Sequence, residues 1–184
     1  VDQMTGLALA YALLAALTGA RASGEGQDID VSLFDIALAN CAYPAVWYLN
    51  EGVVQERMQR SAPPSLTPCQ LYTTQDGWIY LMCNKEKFWP LLCKALGHDE
   101  WADDARFARF KDRLHNRGII QDILDEELNR RDTADWLEIF AGTVPAAPIN
   151  DLAQALDNPF VAEQACIQTL DLPGHGAYRM LDSP

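Results

Sequence analysis

The sequence has few histidines and few basic residues. Its three histidines, His98, His115 and His175, lie in polar settings, so we expect them at the surface, and no two of them have metal-ligand spacing. Lys and Arg together number 14 against 26 Asp and Glu, which gives a formal net charge of -12. Proteins that bind nucleic acids or anionic membranes present a basic face, so we expect neither partner, and no metal site.

Paired cysteines and charge-free apolar runs are also scarce. The five cysteines show no C-x-x-C spacing, and most lie in apolar runs, where a free thiol behaves as a small hydrophobe. They are Cys41, Cys69, Cys83, Cys93 and Cys166. This usage fits a reducing compartment and predicts a cytoplasmic location. A membrane span needs about 18 apolar residues, and because Arg21 and Glu25 end the best candidate, we expect no such span.

The first residues predict a helix over about 4–22, because apolar residues recur at helical spacing and alanine fills the positions between them. Gly24 is its expected C-terminal stop. Asp2 would then lie at the positive end of the helix dipole, which keeps a carboxylate ionised. Two interpretations of Asp2 stay open on spacing alone. It is either a helix N-cap or a nucleophilic carboxylate that forms acyl intermediates.

A strand and a second helix are predicted next. Residues 27–33 alternate polar and apolar, which is typical of a strand with one buried face, and a helical stripe covers about 34–50. Apolar periodicity then stops. Pro63, Pro64 and Pro68 indicate a linker over 56–68, so we place a domain boundary there, after a first segment 1–55 of α/β character.

The segment 69–160 predicts a small α+β domain. Strands over 69–73 and 78–83 flank Asp76-Gly77, a strong hairpin signal, and helices are expected over 86–96 and 111–129. Thr133 is the expected N-cap of a further helix, and 144–149 is an expected edge strand because it holds two prolines. Residues 166–172 form a last predicted strand within the segment 161–184.

Charged groups in this domain are interpreted first as structural. Glu86 is expected to be an acid in the first turn of the helix that follows it. A basic cluster invites a phosphate-binding interpretation, but its interleaving with Asp104, Asp112 and two phenylalanines favours a solvated, salt-bridged surface. The cluster comprises Arg106, Arg109, Lys111, Arg113 and Arg117.

Several motifs together resemble the family III CoA-transferases, a group that includes carnitine and formyl-CoA transferases and 2-methylacyl-CoA racemases. The first is D-x-x-T-G at Asp2, Thr5 and Gly6, followed by R-x-S-G-x-G-Q from Arg21 to Gln27. Further matches lie at 67–80, 88–97, 105–117 and 144–149, so the similarity covers almost the whole chain in the family's order.

This resemblance implies a fold, a partner chain and a chemistry. The segment 1–55 would be the C-terminal part of a Rossmann-like, CoA-binding large domain, and 161–184 the start of the return to it, in an interlocked homodimer. Asp2 matches the catalytic aspartate. Coenzyme A would pass from an acyl-CoA thioester to a carboxylic acid through aspartyl anhydride and thioester intermediates, with no permanently bound cofactor. The chain would be an incomplete part of such an enzyme and inactive by itself, and most of the coenzyme A contacts would lie in other segments.

Two alternatives remain at this stage. One is a 2-methylacyl-CoA racemase, in which Asp2 takes part in proton transfer and Glu86 falls near a position that is a glutamate in some racemases. The other is a non-catalytic oligomerisation module. The donor and acceptor acids are not specified by the sequence. Formyl or oxalyl specificity is in doubt, because residues 61–65 replace the glycine-rich loop of formyl-CoA transferases.

Overall fold

The computed structural model describes residues 1–182. The chain divides into two compact units, Val1–Arg57 and Met58–Pro184. Their boundary lies inside the predicted linker 56–68. The assignment of the flanking segments to a large and a small domain stays a prediction.

The first unit begins with the helix α1, Asp2–Ser23. It ends as predicted at Gly24, whose φ of 79° is left-handed and whose backbone N–H donates to the Ala20 carbonyl. Two shorter helices follow, α2 (Leu33–Ala39) and α3 (Ala42–Glu51). The prediction of one helix over 34–50 is therefore wrong. The physical reason is Pro44, which cannot donate to the Asn40 carbonyl and would clash with it, so the chain breaks and Pro44 lies in the first turn of α3.

The predicted strand over 27–33 is also wrong, since residues 25–32 have no regular secondary structure. Ile29 and Val31 are partly buried while Asp28 and Asp30 are exposed, so the expected alternation is present over 28–31. It ends there, because Ser32 is partly buried and Leu33 is exposed. A strand also needs ladder hydrogen bonds to a neighbour. Within residues 1–182, none of the paired strands pairs with this segment.

Helix α1 carries a long apolar surface with little cover. Leu7 and Tyr11 are 67% and 79% exposed, and Ala16 is the buried residue of this helix. By length and composition the helix is also able to cross a membrane, although a core helix of a soluble protein passes the same test. The expectation that charges interrupt every such run was wrong, because residues 3–20 contain none.

The second unit contains a three-stranded antiparallel sheet. Its strands are β1 (Cys69–Thr73), β2 (Trp78–Met82) and β3 (Ala146–Pro148), in the order β1-β2-β3. Thr73 pairs with Trp78, so the turn containing Asp76-Gly77 closes the hairpin as predicted. β3 is an edge strand, which fits the proline at its end.

Five helices belong to the same unit. They are α4 (Phe88–Leu96), α5 (Glu100–Asp103), α6 (Phe110–His115), α7 (Arg117–Leu128) and α8 (Thr133–Phe140). Two of them, α7 and α8, contact the sheet. One apolar core joins the sheet to α4, α7 and α8, with α5 packed against it. Its largest members are the buried rings of Trp89, Trp136, Tyr72, Phe107 and Phe140. Burying this much aromatic and aliphatic surface is the main force that holds the unit together.

Two details of these helices correct the predictions. The helix expected over 111–129 breaks at Asn116, whose side-chain amide donates to the Arg106 and Asp112 carbonyls and so competes with helical hydrogen bonding. Thr133 is not an N-cap but the first residue of α8, after Asp132. Its N–H donates to Asp76 of the hairpin turn over 2.8 Å, so the cap comes from a distant carboxylate.

The unit ends with two short helices and a second hairpin. The helices are α9 (Leu152–Leu156), which begins with a capping box at Asp151, and α10 (Pro159–Glu163), capped by Asn158. The strands are β4 (Ile167–Leu172), which confirms the strand predicted over 166–172, and β5 (Gly176–Leu181), which was not predicted. The two strands pair antiparallel.

Candidate functional site

Asp2 lies at the N-terminus of α1, in the first helical turn. The N-cap residue is Val1, which makes no side-chain cap, so the interpretation of Asp2 as the N-cap is wrong. Its side chain is exposed. Among the described residues it accepts no hydrogen bond and joins no ion pair. The helix dipole favours a negative charge at this end, so the carboxylate is available to an electrophile in solution.

The surroundings of Asp2 are open. A Cβ placed on Gly6, one turn along the helix, would meet nothing within 4 Å, so no neighbour in the described structure requires its small size. A groove of about 200 Å³ runs between the later turns of α1 and residues 26–29. It begins at Leu13, about 16 Å along the helix from Asp2 at 1.5 Å per residue. The predicted turn role of Gly24 is confirmed by its helix-ending conformation.

A second polar cluster joins Glu86 to Arg113 in the second unit. Arg113 is 1% exposed, lies 4.7 Å above the Phe110 ring, and donates to the Phe107 carbonyl and to Glu86. Glu86 also accepts the N–H of Phe110, the first residue of α6, over 2.8 Å. Burial raises the pKa of Glu86, but the hydrogen bonds from Arg113 and Phe110 outweigh it, and the pKa is lowered overall. The prediction of Glu86 as a first-turn acid is wrong, because its helix begins at Phe88.

The basic cluster is therefore not one solvated surface as predicted. Arg113 is buried, and Arg117 lies partly buried with its guanidinium donating to the Pro63 and Leu66 carbonyls, both over 2.8 Å. Desolvation lowers the pKa of Arg117. Arg106 does form the expected surface pair, with Asp104. Sequence spacing could not separate these roles, because burial depends on which elements pack above each arginine.

The ion pair between Arg60 and Asp125 has no signal in the sequence. Arg60 contacts both carboxylate oxygens of Asp125 and lies 5.7 Å above the Trp78 ring. Asp125 also accepts the Thr73 N–H over 3.3 Å. With the Arg117 contacts, this pair holds the 59–68 segment against β1 and α7. No spacing signal relates residues 60 and 125, so only the fold brings them together.

The histidines show two environments. His115 and His175 are exposed, as predicted. His98 lies 2.9 Å from Glu100 and 3.4 Å from Glu127, and it stacks on Trp101 with ring centroids 4.0 Å apart. Its pKa is raised, mainly by the Glu100 hydrogen bond, with a further contribution from Glu127 against the opposing effect of burial.

Two thiols of the second unit, those of Cys83 and Cys93, are poor nucleophiles. Cys69, Cys83 and Cys93 are buried, as expected of small apolar residues. Burial raises the pKa of Cys83 and of Cys93 to about 12, so neither forms a thiolate near neutral pH. Over residues 1–182 the structure contains no group of three or more His, Cys, Asp or Glu side chains arranged to hold a metal ion.

Comparison with known proteins gives the same family along the whole chain. The sequence model of CoA-transferase family III matches residues 1–184. Similar curated proteins include the succinate–glutarate CoA-transferase of Agrobacterium fabrum, 34% identical over 163 residues, 87% of this chain and 40% of that protein. The human succinyl-CoA:glutarate CoA-transferase is 29% identical over 176 residues, 95% of this chain and 40% of that protein. The chain thus spans about two fifths of the length of these relatives.

Solved structures agree with this match. A CAIB/BAIF family protein from Brucella suis is 31% identical, with a TM-score of 0.78 over 98% of this chain and 47% of that one. Rv3272 from Mycobacterium tuberculosis has a TM-score of 0.84 at 24% identity, covering 98% of this chain and 47% of that chain, which shows the shared fold alone. The chain therefore shares the mixed helix and strand fold of these two solved structures.

Proposed function

Since the chain belongs to CoA-transferase family III, we propose that it carries the nucleophile of an enzyme that moves coenzyme A from an acyl-CoA thioester to a free carboxylic acid. The nucleophile is Asp2. The observation that carries this proposal is an ionisable carboxylate at a helix N-terminus with no partner among the described residues, in a chain that matches the family from end to end.

The proposed reaction has two covalent intermediates. An Asp2 oxygen attacks the thioester carbonyl carbon, the C–S bond breaks, and an aspartyl anhydride and coenzyme A thiolate form. The thiolate then attacks the Asp2 carbonyl carbon, which releases the donor acid as a carboxylate and leaves an aspartyl thioester. The acceptor carboxylate takes coenzyme A by the same steps in reverse, which regenerates Asp2. No redox change occurs, and the bonds balance without a further cofactor.

The backbone at the start of α1 suits this chemistry. The first N–H groups of a helix have no partner within the helix, and they favour negative charge nearby. Such donors stabilise the carboxylate before attack and the tetrahedral oxyanions that follow it.

The acids are proposed to be short dicarboxylic acids. The similar proteins are named for succinate and glutarate, mesaconate, and oxalate with acetyl-CoA. These names favour CoA transfer over racemisation. The position of Glu86 also disfavours a racemase base, because Arg113 and the Phe110 N–H occupy its carboxylate.

The chain contributes part of a Rossmann-like large domain and a small α+β domain. Two copies of the full-length protein form an interlocked homodimer in this proposal. The exposed apolar residues of α1 support a partner surface of this kind, because leucines in water gain free energy when they are covered. The unpaired cysteines, three of them buried, support a reducing compartment such as the cytoplasm.

The test is chemical capture of the Asp2 intermediate. Succinyl-CoA is added to the protein, hydroxylamine follows, and mass spectrometry locates the hydroxamate. We expect the hydroxamate at Asp2. We expect Asp2→Asn to abolish this capture and to lower the rate of coenzyme A transfer by roughly a thousandfold or more. The matched control is Asp28→Asn, an exposed aspartate of the same unit. Unchanged turnover in a folded Asp2→Asn protein would refute the proposal, whereas exchange of the substrate's alpha proton with deuterium would indicate a racemase.

A further inference from the structure

The positive charge of this acidic chain is concentrated in one place. Eight of the 14 Lys and Arg residues lie between positions 85 and 117. The folded chain brings two parts of this stretch together, because the Phe110 N–H donates to Glu86 over 2.8 Å. Residues 85–87 therefore lie beside residues 109–111. Four cations flank these two contact points: Lys85, Lys87, Arg109 and Lys111.

These four cations, here called the basic surface, are exposed. The charge of Arg109 helps to lower the pKa of Glu86. None of the four cations forms an ion pair within residues 1–182. The acid at their centre is already neutralised, because Glu86 is bound by Arg113 from below and caps α6. The lowered pKa of Glu86 keeps it in this paired, ionised form near neutral pH. Asp112 is the second acid in segments 85–87 and 109–113, which carry five basic residues.

Flat apolar groups lie beside these charges. The Phe88 and Phe110 rings are only partly buried, and the Lys87 ammonium lies 5.1 Å from the centre of the Phe88 ring. Several unpaired cations around such rings attract anions through long-range charge and retain them through short contacts. A chain with a net charge of -12 repels polyanions elsewhere, so this local excess is where an anionic ligand can approach.

We propose that the basic surface binds phosphate groups, and that its ligand is the phosphate-bearing nucleotide portion of a coenzyme A ester. This rests on the proposed function, since that is what supplies a polyphosphorylated substrate. Association through exposed charges is weak and salt-sensitive, so the surface acts as a guiding site that captures the substrate before chemistry. The basic surface binds the substrate before the reaction and takes no part in forming or breaking its bonds.

Direct titration of this chain tests the proposal without requiring catalysis. Coenzyme A, dephospho-coenzyme A, pyrophosphate and phosphate-free pantetheine are titrated at low salt, with amide NMR shifts as the readout. We expect shifts at residues 85–88 and 109–111 with the three phosphate compounds and none with pantetheine. We expect Lys85→Gln with Lys87→Gln, and separately Arg109→Gln with Lys111→Gln, to weaken coenzyme A binding roughly two- to thirtyfold.

The control is Arg57→Gln with Arg179→Gln, which removes the same charge from two exposed arginines elsewhere that form no ion pair within residues 1–182. Binding that is unchanged in both basic-surface pairs, or weakened equally in the control, overturns the proposal. Binding of pyrophosphate without coenzyme A overturns the assignment of the ligand. Hydroxylamine capture at Asp2 is scored separately, so loss of the basic surface with capture intact is distinguished from failure of the transferase proposal.

Discussion

The two units of this chain bury their apolar residues very differently. In Val1–Arg57, the leucines of α1 and its tyrosine, Tyr11, are largely exposed, and Ala16 is the buried residue. In the unit that begins at Met58, an apolar core joins the sheet to helices α4, α7 and α8. A helix with this composition is stable in water only when something covers its apolar surface. The second unit therefore has an apolar core of its own, whereas the described residues of the first unit leave most of its apolar surface uncovered.

The largest effect should come from breaking the core of the second unit. Leu124 is fully buried on α7, so Leu124→Ala should lower the free energy of unfolding by about 2–5 kcal/mol, through lost burial and the cavity left behind. The matched change in the first unit is Leu14→Ala, at a residue 66% exposed, which should cost less than about 0.5 kcal/mol. Urea denaturation followed by tryptophan fluorescence measures both, and equal losses would remove the distinction between the units.

A smaller effect should follow from separating Glu86 and Arg113. Glu86→Gln leaves the buried guanidinium without its carboxylate and weakens the cap of α6, and should cost about 1–3 kcal/mol. The loss should shrink as pH falls. The folded-state pKa of Glu86 is lowered, so its contribution is present above the unfolded-state pKa and is lost as pH falls through the folded-state value. Glu126→Gln, at a carboxylate 78% exposed, is the control and should change stability little. A Glu86 variant as stable as this control would contradict the expectation.

Breaking the Arg60–Asp125 ion pair tests whether the 59–68 segment is held to the second unit. Asp125→Ala should release the 59–68 segment and the Thr73 amide, at a cost of about 1–2 kcal/mol. Hydrogen exchange should become faster at Thr73 and Ala62, whereas Asp122→Ala on the same helix should leave both rates unchanged. Slow exchange of these amides in the Asp125 variant would show that the segment is held by other contacts.

The smallest expected effect is a dependence on pH that comes from His98 in the second unit. The pKa of His98 is raised in the folded state, so its contribution is complete below the ordinary histidine pKa and is lost as pH rises through the folded-state value. The free energy of unfolding should therefore fall slightly from pH 6 to 8. His98→Gln should flatten this slope, and His115→Gln should not. An identical slope in the His98 variant would mean that other groups titrate.

Prediction from sequence worked where the signal is local. The stop of α1 depends on Gly24, and the β1–β2 hairpin depends on Asp76-Gly77, so a few neighbouring residues determine each. It failed where a distant residue intervenes. Asp76 caps α8, and Glu86 caps α6, although 24 residues separate Glu86 from Phe110. The break before α3 was a missed local signal, since Pro44 was available in the sequence.

The amino-acid sequence alone determined the family motifs, the candidate nucleophile Asp2 and most helix and strand positions, because these depend on residue order and short-range backbone preferences. Tertiary structure alone decided which charges are buried. Arg106, Arg113 and Arg117 are alike in sequence, yet one pairs at the surface, one lies beneath Glu86, and one binds backbone carbonyls. Desolvation and partner distance set those roles, and both quantities exist only after elements distant in the chain have packed together.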